Sequence, residues 1–271
     1  MSRGNRKMAI VRDDEDRRCF LQVFGKCVAT HGLVCHGYCL MDTHYHAVVT
    51  TTHPNLSRAM HDLNGTYATL WNRRHSMQGH LFQGRFTAKI VQEDGYLLTV
   101  CRYVALNPVR AHMVAKPEDW PWSSYRATAG FDERPSFLWP DLVLGQFGAL
   151  DGEAAARYRR YVEDGLRQGA ESVKWRGPII GDRAFVARFT DLLRRAPLDV
   201  AVSDRRQGAP SLSDLFCGVV RRRERDRQAA VAYREHHYSM RQIAEFLDVH
   251  PSTIGKMLKR VRPRKTREFG I

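Results

Sequence analysis

A chain of 271 residues exceeds the usual size of a single domain, so one full core and a smaller second unit are expected. Its 43 lysines and arginines against 29 acidic residues give a formal charge of +14, which favours a polyanionic partner such as nucleic acid. The N-terminus lacks the apolar run of a signal peptide and no segment reaches transmembrane length, so we expect a cytoplasmic protein with no membrane partner.

The first half of the chain alternates helical and strand patterns. Apolar residues at helical spacing predict a helix over residues 13–31, which Gly32 ends. Two β-rich runs, 33–41 and 46–51, predict an antiparallel pair. The later elements are a helix over 55–74, a strand with a glycine irregularity over 80–91, and a third helix that Asp94 caps and that runs to Asn107. Strands interleaved with helices predict an α+β fold in which helices pack on an antiparallel sheet.

The character of the chain changes after residue 127. Residues 150–196 carry helical apolar stripes, and residues 203–213 have the composition of a linker. Residues 227–260 divide into helix, turn, helix, turn and helix around a small apolar core, which is typical of a helix-turn-helix. We therefore expect three parts: the α+β domain over 1–127, a helical connecting region over 128–204, and an all-α basic domain over 205–271.

The last of these parts is the most basic. Residues 205–271 hold 16 basic and 7 acidic side chains, a net charge of +9. Pro251 stands in the first turn of the final helix, whose N-terminal residues meet base edges in helix-turn-helix proteins. The candidate DNA-binding residues of this region are Arg241, Ser252, Thr253 and Lys256. A plain helical hairpin with a solvated basic face is the alternative, and the charge favours DNA binding.

Two histidines and a tyrosine are the candidates for chemistry. His44 and His46 alternate on a predicted strand, which puts both imidazoles on one face, where they can share a metal ion. Tyr103 and Asn107 are four residues apart on the third helix and project from one of its faces. Two imidazoles and an amide oxygen leave positions open for phosphate and water, and they suit magnesium or manganese. Tyr103 would then be the nucleophile and form a covalent phosphotyrosine, unless it is a surface aromatic packed on the sheet.

A second group of candidates lies on the predicted strand over 80–91. Arg85 and Lys89 could hold a single-strand backbone, and the nearby rings of Phe82 and Phe86 would either stack bases or fill the core. Arg110, just after the third helix, completes the set of candidate DNA-binding residues.

Four sequence elements occur in order: MDTHYHAVVT, HLFQGRF, RYVALNPVRAHMV and PEDWPWSSY. Together they resemble the REP-associated tyrosine transposases, a branch of the single-tyrosine HUH transposases, over roughly the first 127 residues. The resemblance implies a ferredoxin-like HUH fold in which His44 and His46 are the HUH histidines, Tyr103 forms a 5′-phosphotyrosine, and Asn107 is the third metal ligand. The implied activity is metal-dependent cleavage and transfer of single-stranded DNA at repeat hairpins, with hairpin DNA and a second copy of the chain as partners. Chains of this subgroup also tend to carry a C-terminal helix-turn-helix.

Two features depart from the family pattern. Asp42 and Thr43 stand where the family usually has Pro-Asn, which should alter a turn and leave the ligands unchanged. Relatives begin with a strand ahead of the Arg3-Gly4-Asn5 element, whereas only two residues precede it here, so we expect the first strand to be missing. The strand with the two histidines would then have an exposed edge, which would invite aggregation and weaken the metal site and the activity.

Three alternatives stay open from the sequence. The first is a DNA-binding regulator without catalysis, in which Cys35, Cys39, His44 and His46 hold a structural zinc ion. The second is an HUH nuclease of plasmid replication or mobilisation, against which the NPVRA and DWPWSSY elements argue. The third is a repressor whose N-terminal domain senses a ligand.

Overall fold

The structure is a computed structural model, and the residues that it describes are 1–93, 95–149, 152–167, 177–194, 210–219, 221–236 and 238–261. The chain divides into two compact units, residues 1–174 and residues 175–271. The finer division into parts that end at residues 127 and 204 stays a prediction. No helix in these described ranges is both long and apolar enough to cross a membrane.

A three-stranded antiparallel sheet lies at the centre of the first unit, which confirms the predicted α+β class. Its strands are β1 (Ser2–Arg3), β2 (Leu33–Leu40) and β3 (His44–Thr51). The order across the sheet is β1, β3, β2, so the strand that carries the two histidines is central. The expectation that the first strand is missing is therefore wrong, because a two-residue strand pairs with β3 on the side away from β2.

Residues 81–87 cover the outer side of β1. The backbone N–H of Asn5 donates to Leu81 O (2.8 Å), that of Gln83 donates to Arg3 O (2.9 Å), and that of Thr87 donates to Met1 O (2.9 Å). The strand predicted over 80–91 is mostly irregular, and only β4 (Ile90–Val91) is regular. Gly84 has a φ of 154°, which side-chain-bearing residues rarely adopt, and this bend interrupts the regular pairing.

Two helices pack on one face of the sheet, as their patterns predict. They are α1 (Asp14–His31) and α2 (Leu56–Arg74). The Asp13 carboxylate accepts a hydrogen bond from the first turn of α1, and Gly32 ends the helix with a φ of 61°. The ring centroid of Phe20 lies 4.8 Å from that of Tyr45 and 5.1 Å from that of Tyr67, in the core between the helices and the sheet. Since Tyr45 points into this core, its neighbours on β3 point to the other face.

The third helix lies on that other face. It is α3 (Gly95–Ala105), which contacts β2 and β3 and ends two residues earlier than predicted; its predicted cap, Asp94, lies outside the described residues. A separate turn, α4 (Asn107–Arg110), follows. Pro108 has no N–H to donate to the carbonyl four residues earlier, so the continuous ladder of hydrogen bonds breaks here.

The remainder of the first unit closes the free edge of β2. The indole of Trp120 donates to Leu40 O (3.0 Å), and the backbone N–H of Tyr38 donates to the Ser124 hydroxyl (2.9 Å). The helices that follow are α5 (Tyr125–Thr128), α6 (Asp141–Leu144) and α7 (Gly152–Arg167). Both edges of the sheet are thus covered by the chain itself, which removes the exposed edge that the sequence led us to expect.

The second unit is mainly helical where it is described. Its elements are β5 (Ile179–Ile180), α8 (Arg183–Arg194), α9 (Leu212–Leu215), α10 (Arg222–Arg234), α11 (Met240–Phe246) and α12 (Pro251–Arg260). The predicted linker over 203–213 is described only from residue 210, and its last residues enter α9. Helices α10 to α12 agree with the three helices predicted over 227–260 and share a core that includes Ile243, Ile254 and Met257.

Candidate active site

β3 and α3 bring two predicted histidines and the predicted tyrosine together. The ring centroids of His44 and His46 are 5.0 Å apart, with their planes at 79°. The ring of Tyr103 lies 5.8 Å from that of His46, at 85°. The strand period of two aims both imidazoles at the face that α3 crosses, and Tyr103 projects from α3 toward them. The three side chains therefore form one cluster.

The two imidazoles are held in the neutral form. Burial lowers the pKa of His44 to about 4 and that of His46 to about 3, and the positive charge of Arg3 acts in the same direction on both. The Thr43 hydroxyl lies 3.0 Å from His44 Nδ1. When this nitrogen donates its proton to the hydroxyl, Nε2 carries the lone pair that a metal needs. In the Asp42-Thr43 pair, Thr43 thus supplies a hydroxyl that orients the imidazole of His44.

Asn107 is tied to the turn that carries Tyr103. Its side-chain nitrogen donates to the backbone carbonyl of Tyr103 at 2.9 Å, which satisfies one of the last carbonyls of α3. This hydrogen bond uses the amide nitrogen and leaves the amide oxygen as the group that can accept or ligate. In the described ranges no three His, Cys, Asp or Glu side chains form a metal-sized group, so a metal held here needs ligands such as an amide or a substrate oxygen.

The zinc alternative is wrong. Cys39 pairs with His46 across the sheet, but its thiol contacts the sulfur of Met41 at 3.6 Å, and the Cys35 thiol contacts Gly37 O at 3.8 Å. Burial raises the pKa of Cys35 to about 12 and that of Cys39 also well above its usual range. The four residues, all described, form no metal-sized group, so they do not provide the ligand set that zinc requires.

In the segment with Arg85 and Lys89, the aromatic side chains pack on the core and the two basic side chains are exposed. Phe82 is 8% exposed and lies 6.2 Å from the Tyr45 ring and 6.4 Å from the Tyr67 ring, and Phe86 packs on the same core. The Phe82 ring therefore fills the core and is not available to stack bases, whereas Phe86 is half-buried at the margin of the core. The side chains of Arg85 and Lys89 are exposed to solvent.

Arg110 lies beside the tyrosine. The carbon at the centre of its guanidinium is 5.3 Å from the centroid of the Tyr103 ring. Burial lowers the pKa of this half-buried group. Its Nη1 is buried and has no hydrogen-bond partner in the described part of the chain. The structure therefore puts a predicted DNA-binding residue next to the predicted nucleophile.

Arg3 belongs to the same cluster, although sequence reasoning assigned it no role. It lies directly opposite His44 in the pairing of β1 with β3, and its Nε is buried without a hydrogen-bond partner among the described residues. Residues directly opposite in an antiparallel pair share a face, so Arg3 is on the histidine side of the sheet. The only signal in the sequence was the Arg3-Gly4-Asn5 element. The pairing of β1 with β3 is needed to show that Arg3 lies opposite His44, which is 41 residues later in the chain.

The candidate residues of the second unit lie at the surface of α11 and in the first turns of α12. Arg241, Ser252 and Lys256 are exposed, and Thr253 is half-buried. Sequence reasoning missed His250, which caps α12: its Nδ1 accepts from the backbone N–H of Ser252 (3.3 Å) and lies 2.8 Å from the Ser252 hydroxyl. The Ser252 hydroxyl is therefore in contact with the imidazole of His250, whereas Lys256 lies one turn further along α12 and is exposed.

Comparison with known proteins matches one segment of the chain. Residues 2–107 match the family model described as IS200-like transposase. The segment runs from β1 to the first residue of α4 and contains His44, His46, Tyr103 and Asn107. No curated protein and no solved structure matches the chain.

Proposed function

We propose that the protein is a metal-dependent single-strand DNA endonuclease and strand transferase with Tyr103 as its nucleophile, and the match of residues 2–107 to the IS200-like transposase model supports this. The observation that carries the proposal is the cluster of two neutral imidazoles and a tyrosine on one face of the sheet. The family match over residues 2–107 supports DNA cleavage in general, and this cluster supports the tyrosine chemistry in particular. Within the family we favour the REP-associated branch and repeat hairpins as the substrate.

The cleavage step is a transfer of phosphorus from one oxygen to another. The Tyr103 hydroxyl attacks the scissile phosphorus, its proton passes to water, and the bond from phosphorus to the 3′ oxygen breaks. One DNA end leaves with a 3′-hydroxyl, and the other stays on the protein as a 5′-phosphotyrosine. A 3′-hydroxyl of DNA then attacks the phosphotyrosine and releases Tyr103. No bond energy is lost to hydrolysis, so strand transfer needs no nucleotide cofactor.

The residues present fit a magnesium or manganese ion. His44 and His46 offer imidazole nitrogens, and Asn107 offers the amide oxygen that its hydrogen bond to Tyr103 O does not use. A bound ion would supply Lewis-acid activation of the scissile phosphate. Arg110 would stabilise negative charge that develops on the Tyr103 oxygen and on the phosphate, because the centre of its guanidinium lies 5.3 Å from the centroid of the Tyr103 ring.

We assign the C-terminal domain, residues 205–271, to recognition of the DNA. Its net charge of +9 supplies electrostatic affinity, and helices α10 to α12 offer a helix-turn-helix in which α12 would enter the major groove of a hairpin stem. Arg241, Ser252, Thr253 and Lys256 are the proposed contacts there, and Arg85 and Lys89 are the proposed contacts to the single strand. Residues 1–127 would form the catalytic domain, and 128–204 would connect the two. The site of action would be the cytoplasm, with a homodimer as the assembly.

One experiment tests the activity. The full chain is incubated with single-stranded repeat hairpins from its own genome and manganese, and a denaturing gel then detects a protein–DNA adduct. We expect an adduct with the wild-type protein and none with Tyr103→Phe. A regulator would bind the hairpins and give no adduct. A replication or mobilisation nuclease would form adducts at origin sequences in preference to hairpins.

A further inference from the structure

We infer that Arg3 binds a non-bridging oxygen of the scissile phosphate, and that Arg3 and Arg110 hold this phosphate between the histidine pair and Tyr103. The inference rests on the proposed function, since it assigns the phosphate to be cleaved. It gives a role in the reaction to a residue outside the histidine and tyrosine motifs.

The pairing of β1 with β3 fixes where Arg3 points. Arg3 is directly opposite His44, and such pairs have Cβ atoms about 4.5 to 5.5 Å apart on one face. The neighbouring Ser2 points to the opposite face, where its hydroxyl lies 3.2 Å from the Tyr45 hydroxyl in the buried core. Because Ser2 is anchored in the core, the strand period of two holds Arg3 over the candidate metal ligands.

Both arginines carry a buried donor without an acceptor. Arg3 Nε and Arg110 Nη1 are each shielded from solvent and have no hydrogen-bond partner in the part of the chain that the structure describes. Buried polar groups in native proteins are almost always paired, and an orphan at a site marks a missing partner. The four proposed site residues, His44, His46, Tyr103 and Asn107, include no carboxylate. The missing partner is therefore an acceptor that the substrate brings.

A phosphodiester matches these two donors in charge and in shape. Guanidinium groups bind phosphate oxygens through a planar fork of N–H donors, and they keep their charge when partly buried. The negative charge on the non-bridging oxygens grows as the tyrosine attacks, so donors placed there bind the transition state more tightly than the ground state. One cation beside the histidines and another beside the tyrosine would contact opposite sides of the reacting phosphorus.

The first test removes the charge of the phosphate. A hairpin that the wild-type protein cleaves is prepared with either the normal phosphodiester or a neutral methylphosphonate at the cleaved position, and the rate of adduct formation is measured. We expect Arg3→Gln to lower the rate on the phosphodiester about a hundredfold, as loss of one transition-state donor does. On the methylphosphonate the deficit should shrink to about threefold or less, since this substrate is neutral and one fewer negative oxygen has to be compensated in the transition state.

The control variant is Arg6→Gln. Arg6 lies three residues away, is exposed, and loses the same charge, so its rates should equal those of the wild-type protein on both substrates. Arg3→Lys keeps the charge without the fork and should fall between wild type and Arg3→Gln. An equal deficit of Arg3→Gln on both substrates would indicate a structural role only, and a wild-type rate would exclude any role; either result overturns the inference.

The second test uses the unaltered chain without metal. Arginine Nε–H signals are recorded by ¹H–¹⁵N NMR while a ten-nucleotide thymidine oligomer is added, and the Arg3 signal is identified by its loss in Arg3→Lys. We expect a downfield shift of this signal, and no shift at saturation would overturn the inference. If the Arg3 signal shifts but wild type forms no adduct with any hairpin, the proposed function fails and phosphate binding stands. If wild type forms the adduct and Arg3→Gln does so equally fast, only the inference fails.

Discussion

Replacing Thr43 by valine removes one hydroxyl and keeps the shape of the side chain. In the structure this hydroxyl lies 3.0 Å from His44 Nδ1, on the ring atom opposite the nitrogen that would face the metal. One hydrogen bond contributes about 0.5 to 1.5 kcal/mol, which corresponds to about a 2- to 13-fold change in an equilibrium constant. Loss of a group that orients a ligating histidine typically costs about 10- to 100-fold in metal affinity. The two ranges overlap at about tenfold, which is the expected effect.

The assay measures the rate of adduct formation by the full chain as a function of manganese concentration. Thr43→Val should raise the half-saturating concentration about tenfold and change the rate at saturation little, while Thr43→Ser should retain the wild-type value. The matched control is Thr50→Val, because the Thr50 hydroxyl makes the same contact to His36 Nε2 (2.9 Å), a histidine whose other nitrogen is bound by Trp139 O. Equal half-saturation in Thr43→Val and Thr50→Val would refute the role of Thr43.

Other substitutions separate chemistry from binding. Tyr103→Phe should abolish the adduct and leave hairpin affinity in a gel-shift assay nearly unchanged, and an adduct in this variant would exclude Tyr103 as the nucleophile. Alanine in place of His44, His46 or Asn107 should remove most cleavage. Excess manganese should restore part of it only in Asn107→Ala, where a water can replace the amide oxygen. Cleavage that survives a chelator would contradict the metal role. Removal of residues 205–271 should weaken DNA binding and flatten its salt dependence while cleavage persists at high protein concentration, whereas an unchanged salt slope would mean that the tail does not bind DNA.

Local patterns predicted the elements of this protein well. The helices α1 and α2 follow from apolar spacing and from Gly32, and β2 and β3 follow from adjacent β-rich runs. The hydrogen bond from the Asn107 amide to the backbone carbonyl of Tyr103 agrees with their predicted spacing of four residues, although α3 ends before Asn107. The break before Pro108 was misjudged by two residues, because a proline allows a new turn to begin where the old one ends.

Long-range contacts were not predictable from those patterns. A strand of two residues has no period to detect, so β1 was overlooked, and with it the neighbourhood of Arg3. Phe82 and Phe86 could not be divided between core and surface until their segment was seen to lie against β1. The zinc alternative required the thiols of Cys35 and Cys39 to share a site with the histidines, and these described residues form no metal-sized group.

The charges around the candidate metal site explain why the metal ion and the DNA should bind together. Two neutral imidazoles and an amide add no negative charge, and the nearby Arg3 would repel a cation, so a metal ion would be held weakly by the protein alone. A bound phosphodiester reverses this balance, because its oxygens offer both negative charge and ligands. Linkage then requires that metal raise the affinity for DNA by the same factor as DNA raises the affinity for metal. With Tyr103→Phe, which prevents cleavage, calorimetry should detect manganese binding that tightens when the hairpin is present. Equal affinities with and without DNA would show that the ion and the phosphate do not share the site.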